Sequence, residues 1–181
     1  VHYRIHTQEE GIPDFEADAN AGTGTEKEFL VIGLVPGTVN ELEITLNGAD
    51  GTEVSTVTYR VEAPKTASGY NVVLEETEGT SRQELTEGLY YTLGIQGYYG
   101  HMFLFDNDGV LRYEMLLDGY KPDRVLFDDG EMLLCVSANQ IGKVNSLGRV
   151  TKLYTLNGYV MHHDYCYGED GTLLVLATRK N

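Results

Sequence analysis

Basic side chains are scarce in this chain of 181 residues, where 13 Lys and Arg stand against 28 Asp and Glu for a formal charge of −15. A protein this acidic, with no Lys/Arg-rich stretch, repels phosphate backbones, so nucleic-acid partners are excluded. Anionic membrane surfaces are disfavoured for the same reason. Long apolar runs are lacking too: stretches such as Met132-Leu133-Leu134-Cys135-Val136 fall far short of the roughly 20 residues a spanning helix needs. No membrane span is expected. Cysteine is limited to Cys135 and Cys166, too few for a disulfide scaffold and without the Cys-x-x-Cys spacing of a metal site. One lies in an apolar strand-like run and the other between two tyrosines, so both are expected as free, packed thiols, with a single bridge as the alternative. The chain opens on Val1 with no basic or apolar leader, which places any targeting segment outside the sequence in hand.

What is present points to β structure. Hydrophobic residues at 41% and charged residues at 23% are close to the globular average and predict a packed core. Thirteen Tyr and 21 Gly against four Pro suggest short strands joined by tight turns. Turn dipeptides recur at Asn47-Gly48, Asp50-Gly51, Asp108-Gly109, Asp118-Gly119, Asp129-Gly130, Asn157-Gly158 and Asp170-Gly171, each able to supply a positive φ. The chain reads as all-β.

Residues 1–65 read as a small sandwich. Val1, Tyr3 and Ile5 alternate with His2, Arg4 and His6, while Phe29-Leu30-Val31-Ile32 predicts a strand buried on both faces. Leu42, Ile44 and Leu46, then Val57, Tyr59 and Val61 across an Asn47–Gly51 turn, predict a hairpin. Gly33-Leu34-Val35-Pro36-Gly37-Thr38 resembles a turn of fibronectin-III-like and immunoglobulin-like modules, with Asn40 where many of those carry an aromatic. Residues 66–87 form a connector; within it Asn71–Glu75 is expected as a strand and 76–87 as an exposed loop.

From residue 88 to 181 the chain repeats itself. GVLRYEMLLDG (Gly109–Gly119) and GRVTKLYTLNG (Gly148–Gly158) start 39 residues apart, and Asp129–Leu134 and Asp170–Val175 are offset by 41. A period of about 40–50 residues carrying several short strands is a mark of propeller blades, which stack around a central channel. The segment holds about two blades where propellers have about four to eight, so the chain is expected to be a fragment. The alternative is a complete small β domain whose hairpins are alike by chance.

Candidate chemistry centres on Met161-His162-His163-Asp164-Tyr165, since histidine titrates near neutral pH and serves as base, nucleophile or ligand. Strand alternation places His162 and Asp164 on one face and His163 on the other. The competing reading is an edge strand with solvated histidines. Adjacent histidines on opposite faces cannot easily share zinc, and no metal or cofactor is expected. Asp106-Asn107-Asp108-Gly109 fails as an EF-hand, because Leu104 and Met115 would fall at ligand positions. It reads as a hairpin turn with its carboxylates in water. His101 reads as a residue at a strand start. No Gly-rich phosphate loop, serine elbow or paired-carboxylate motif is evident.

Taken together, the N-terminal sandwich, Leu104-Phe105-Asp106-Asn107-Asp108-Gly109-Val110-Leu111-Arg112, and Met161-His162-His163-Asp164 followed by Asp170-Gly171-Thr172-Leu173-Leu174-Val175-Leu176-Ala177 resemble the bacterial arylsulfate sulfotransferases across essentially the whole chain. The resemblance implies a six-bladed propeller that transfers sulfate from a phenolic ester to another phenol, without PAPS, through a covalently sulfurylated histidine. It assigns His162 or His163 as an acid/base or sulfate-contacting residue. The nucleophilic histidine and catalytic arginine of that family are expected beyond Asn181, so the chain alone is expected to be inactive. It also implies an exported protein, secreted, periplasmic or at the cell surface; a secreted or cell-surface binding module without catalysis is the alternative. Open blade edges seek pairing, so light scattering of the isolated chain should show self-association that grows with concentration. A clean monomer at high concentration would count against open edges.

Overall fold

The alternation at the N terminus folds as read. In a computed structural model that describes residues 1–22, 24–74, 86, 88–117, 119–128 and 130–180, β1 (His2–Thr7) turns Tyr3 and Ile5 inward at 3% and 1% exposure. It lies between β2 (Phe15–Asp18) and β3 (Val39–Asn47), and β4 (Glu53–Glu62) pairs with β3, giving the antiparallel order β2-β1-β3-β4. The predicted hairpin is therefore present, but β4 is a sheet edge that leaves Val57 and Tyr59 exposed. Two compact units make up the chain: Val1–Tyr91 with Phe103–Glu114, and Thr92–Met102 with Met115–Asn181.

In the first unit Tyr3, Ile5 and Leu42 form a core packed by Phe15, Phe29, Val31 and Leu34. Each such side chain, once fully buried, contributes about 1.5–3 kcal/mol. Phe29–Ile32, expected as a doubly buried strand, joins no sheet. Phe29 and Val31 pack on the core while Leu30 is exposed. The backbone of Ile32 is satisfied outside a ladder: the Tyr3 hydroxyl donates to Ile32 O at 3.1 Å and accepts from Ile32 N at 3.4 Å. Asn40, where an aromatic was the reference, is fully buried. Its side-chain oxygen accepts from Val35 N at 2.8 Å and its amide donates to Val35 O at 3.1 Å, so it holds the loop as a strand partner would.

The expected strand at 71–75 is only partly testable, because Glu75 lies outside the described residues, as do 76–85 and Glu87. Val73 makes an isolated antiparallel bridge to Val110, and Leu111 N donates to Val72 O at 2.6 Å. Val72 packs on Phe103, Phe105 and Leu111. Strands β5 (Tyr90–Gln96), β6 (Tyr99–Phe105) and β7 (Leu111–Leu117) form a three-stranded sheet in that order. The β6–β7 turn is solvated at Asn107 and Asp108, as the sequence suggested, but not at Asp106. Asp106 is 10% exposed at its side chain, Arg112 is 0% exposed, and Arg112 Nε donates to Asp106 Oδ2 at 2.6 Å. The guanidinium also donates to Gly33 O at 3.2 Å and Pro13 O at 2.9 Å, and lies over the Phe15 ring. Gly33 N in turn donates to Arg112 O at 2.8 Å. Gly33 has φ +105, and a Cβ there would come within 2.3 Å of Phe15 Cδ1, so no other residue fits.

In the second unit β8 (Val125–Asp128), β9 (Glu131–Ser137), β10 (Gln140–Val144) and β11 (Val150–Thr155) form an antiparallel meander. A hairpin of β12 (Tyr159–Tyr167) and β13 (Leu173–Arg179) follows. Its core gathers Leu133, Cys135, Ile141, Met161 and Tyr165. The repeat read from sequence is structural. At Asp106 the backbone bonds Asp106 N to Val110 O at 3.0 Å and Gly109 N to Asp106 O at 3.1 Å, with Oδ1 accepting from Asp108 N and Val110 N. Asn145, 39 residues on, makes the same set with Arg149, Gly148 and Leu147. Cys166 is exposed, not packed as expected, because it falls on the outward side of β12; Cys135 is buried, and both thiols are free.

Removing Arg112 strands a buried carboxylate, a change that costs about 3–5 kcal/mol. Arg112→Met should therefore lower unfolding free energy by about that amount in urea titrations, and a loss under about 1 kcal/mol would show that the pair is not structural.

Candidate functional site

The histidine stretch lies where β12 departs from regular pairing. Met161 pairs with Ala177 and Tyr165 with Val175, and the register shifts between them. His162, His163 and Asp164 thus occupy a bulge opposite a single residue, Leu176, and all three are exposed, whereas Met161 and Tyr165 turn into the core. Bulges re-aim side chains in this way.

The alternation expected for a flat strand does not hold here. His162 and His163 have ring centroids 6.2 Å apart in an edge-to-face arrangement, and His163 and Asp164, expected on opposite faces, both reach the segment before β8. His163 Nδ1 is 2.9 Å from Asp123 Oδ2, and Arg124 donates to Asp164 Oδ1 at 2.5 Å. His162 Nε2 instead contacts the Thr178 hydroxyl of β13. The bulge accounts for the correction, since inside it three residues face a single partner and leave the pleat, while Met161 and Tyr165 on either side keep the same inward face.

Beneath the cluster the buried Tyr165 hydroxyl donates to Arg124 O at 2.5 Å and lies 3.1 Å from Leu133 O. Its backbone N donates to Asp164 Oδ1 at 2.9 Å. Burial pushes the Tyr165 phenol well above its ordinary range. Burial likewise pushes the Tyr120 phenol up to about 12 and the Cys135 thiol up to about 11. These groups stay protonated at neutral pH and act as packing and hydrogen-bonding groups. Gly100 permits the segment's close approach, since a Cβ there would meet Tyr120 O at 1.9 Å.

His101, expected at a strand start, is the third residue of β6 and is 1% exposed. Among the described residues no group of three or more His, Cys, Asp or Glu converges on a metal position, and no helix is long and apolar enough to cross a membrane. Sequence reasoning did not find Asp123, Arg124 or Thr178. Asp123-Arg124 ahead of an apolar strand start is the one local signal, and it is weak without knowledge of the pairing.

Among the described residues the fold is all-β, opening on one four-stranded antiparallel sheet. Family models supply the class: that of the arylsulfotransferase Ig-like domain matches residues 1–64, and that of arylsulfotransferase (ASST) matches residues 74–181. With more than half of the chain covered, the protein belongs to the arylsulfotransferase family, as the sequence resemblance implied. No curated protein matched the chain.

The raised thiol and phenols fix the sign of the alkaline response. The folded state keeps protons that the unfolded chain releases, so the Cys135 contribution is complete below about pH 9 and is lost as pH rises through about 11, and the Tyr120 contribution is lost in the same sense between about pH 10 and about 12. Urea midpoints should fall across that window, and less steeply in Cys135→Ala. At pH 8 iodoacetamide should label Cys166 alone, Cys135 reacting only on unfolding; equal labelling would contradict its burial.

Proposed function

We propose that this chain supplies part of an arylsulfate sulfotransferase of ring-like propeller architecture, in which the four-stranded β8–β11 meander is one blade and the sheets before and after it belong to neighbouring blades. The observation that carries the reading is the coincidence of the family match over residues 74–181 with two exposed imidazoles on a bulge. The reaction exchanges one sulfur–oxygen bond for another. A histidine nitrogen lone pair attacks sulfur of the phenolic sulfate and the aryl oxygen leaves. The acceptor phenol oxygen then attacks sulfur, and the sulfur–nitrogen bond breaks.

A protonated imidazole gives its proton to the departing phenolate, and the neutral ring takes one from the acceptor phenol, so the proton balance closes over one turnover. His162 or His163 fills this role or contacts the sulfuryl oxygens. The guanidinium beside the pair, Arg124, is engaged with Asp164 through Nη1. The family resemblance implies that a further cation and the nucleophilic histidine come from the rest of a longer protein, so the isolated chain is expected to be inactive. The acidic balance of the chain accords with an exported protein.

The test uses p-nitrophenyl sulfate with a phenol acceptor. The longer parent protein should turn over and the 181-residue chain should not. His163→Ala or His162→Ala in the parent should lower kcat/KM by about 10²–10⁴-fold, the usual worth of a positioned acid/base. Full activity in both variants would remove the histidine role, and turnover by the isolated chain would remove the inactivity claim.

A further inference from the structure

We infer that Asp123 is the positioning residue of His163, and that it makes Nε2 of His163, not a nitrogen of His162, the reactive nitrogen of the pair. This deepens the sulfuryl-transfer reading and rests on it for its functional meaning; the positioning itself rests on geometry alone.

Three consecutive residues of β12 are tied to two consecutive residues ahead of β8. Asp123 Oδ2 meets His163 Nδ1 at 2.9 Å, Arg124 meets Asp164 at 2.5 Å, and the Tyr165 hydroxyl donates to Arg124 O at 2.5 Å. Tyr165 is buried at 3% exposure, so this last bond sets the Asp123-Arg124 backbone against the strand from within the core. The carboxylate of Asp123 is 21% exposed while the His163 side chain is 80% exposed. The orienting group is thus sheltered and the ring it orients is open to solvent.

A carboxylate only accepts hydrogen bonds, so Nδ1 of a neutral His163 carries the hydrogen and Nε2 the lone pair. When Nε2 takes a proton, Asp123 supplies the counter-charge at the far nitrogen. His162 is arranged differently, with Nε2 already engaged by the Thr178 hydroxyl. Orientation by a carboxylate partner is how an imidazole is held in one tautomer for proton transfer.

Long-range proton–nitrogen NMR of the ¹⁵N-labelled chain reads the tautomer directly, without any turnover. Neutral His163 should show the Nδ1–H form. Asp123→Asn should shift it toward the Nε2–H form that solvated histidine favours, and Asp123→Glu should restore it in part. An Nε2–H signature in the unaltered protein, or no change in Asp123→Asn, overturns the inference. In the parent enzyme Asp123→Asn should lower kcat, by up to the roughly 10²–10⁴-fold that a positioned acid/base contributes, with KM little changed. A tautomer shift in Asp123→Asn together with full transfer activity in His163→Ala would uphold the positioning and overturn the functional reading of His163.

Discussion

The buried pair of Arg112 and Asp106 is the constraint on which the first unit depends. Two opposite charges removed from water are tolerated only because each is also satisfied by other polar groups. Arg112 reaches Gly33 O and Pro13 O as well as Asp106, and Asp106 Oδ1 accepts from two backbone N–H groups of its own turn. One guanidinium therefore ties the β6–β7 turn to loops that lie 79 and 99 residues earlier in the chain. Gly33 completes the arrangement, because Phe15 occupies the space any side chain there would need.

A related device operates around β12. There the ordered element is the core below the bulge: Tyr165 and Met161 are anchored inward, and the three residues between them are pushed out together. Regularity is given up over a short span, and the histidines gain exposure that a flat strand of alternating faces would deny to one of them. The ties from Asp123 and Arg124 then limit where the displaced side chains can point. A bulge supported from below in this way combines an open surface with defined geometry, which is what proton transfer at an imidazole requires.

Much of this was legible beforehand. The all-β class followed from turn dipeptides and alternation, and the 39-residue repeat returned as two turns with the same hydrogen bonds. The immunoglobulin-like assignment followed from the strand pattern before residue 65 and the Gly33–Thr38 turn, and the arylsulfotransferase one from that sandwich together with Leu104–Arg112 and the His-His-Asp stretch. Phe29–Ile32 was misread because an apolar run does not reveal whether its backbone will meet a ladder or a side chain. Cys166 was misread because a tyrosine on each side does not imply packing around the residue between them.

Local chemistry alone determined alternating strands such as β1 and β3, the turns at Asp106 and Asn145, and the adjacency of two imidazoles at 162 and 163, since each depends on residues within a few positions of one another. Tertiary structure decided which groups meet. Asp106 became a buried ion rather than a solvated one, Asn40 became a strut, and Asp123 came to His163 across 40 residues. Such meetings depend on how separate strands pair and where a register slips, and strand spacing by itself carries no record of either.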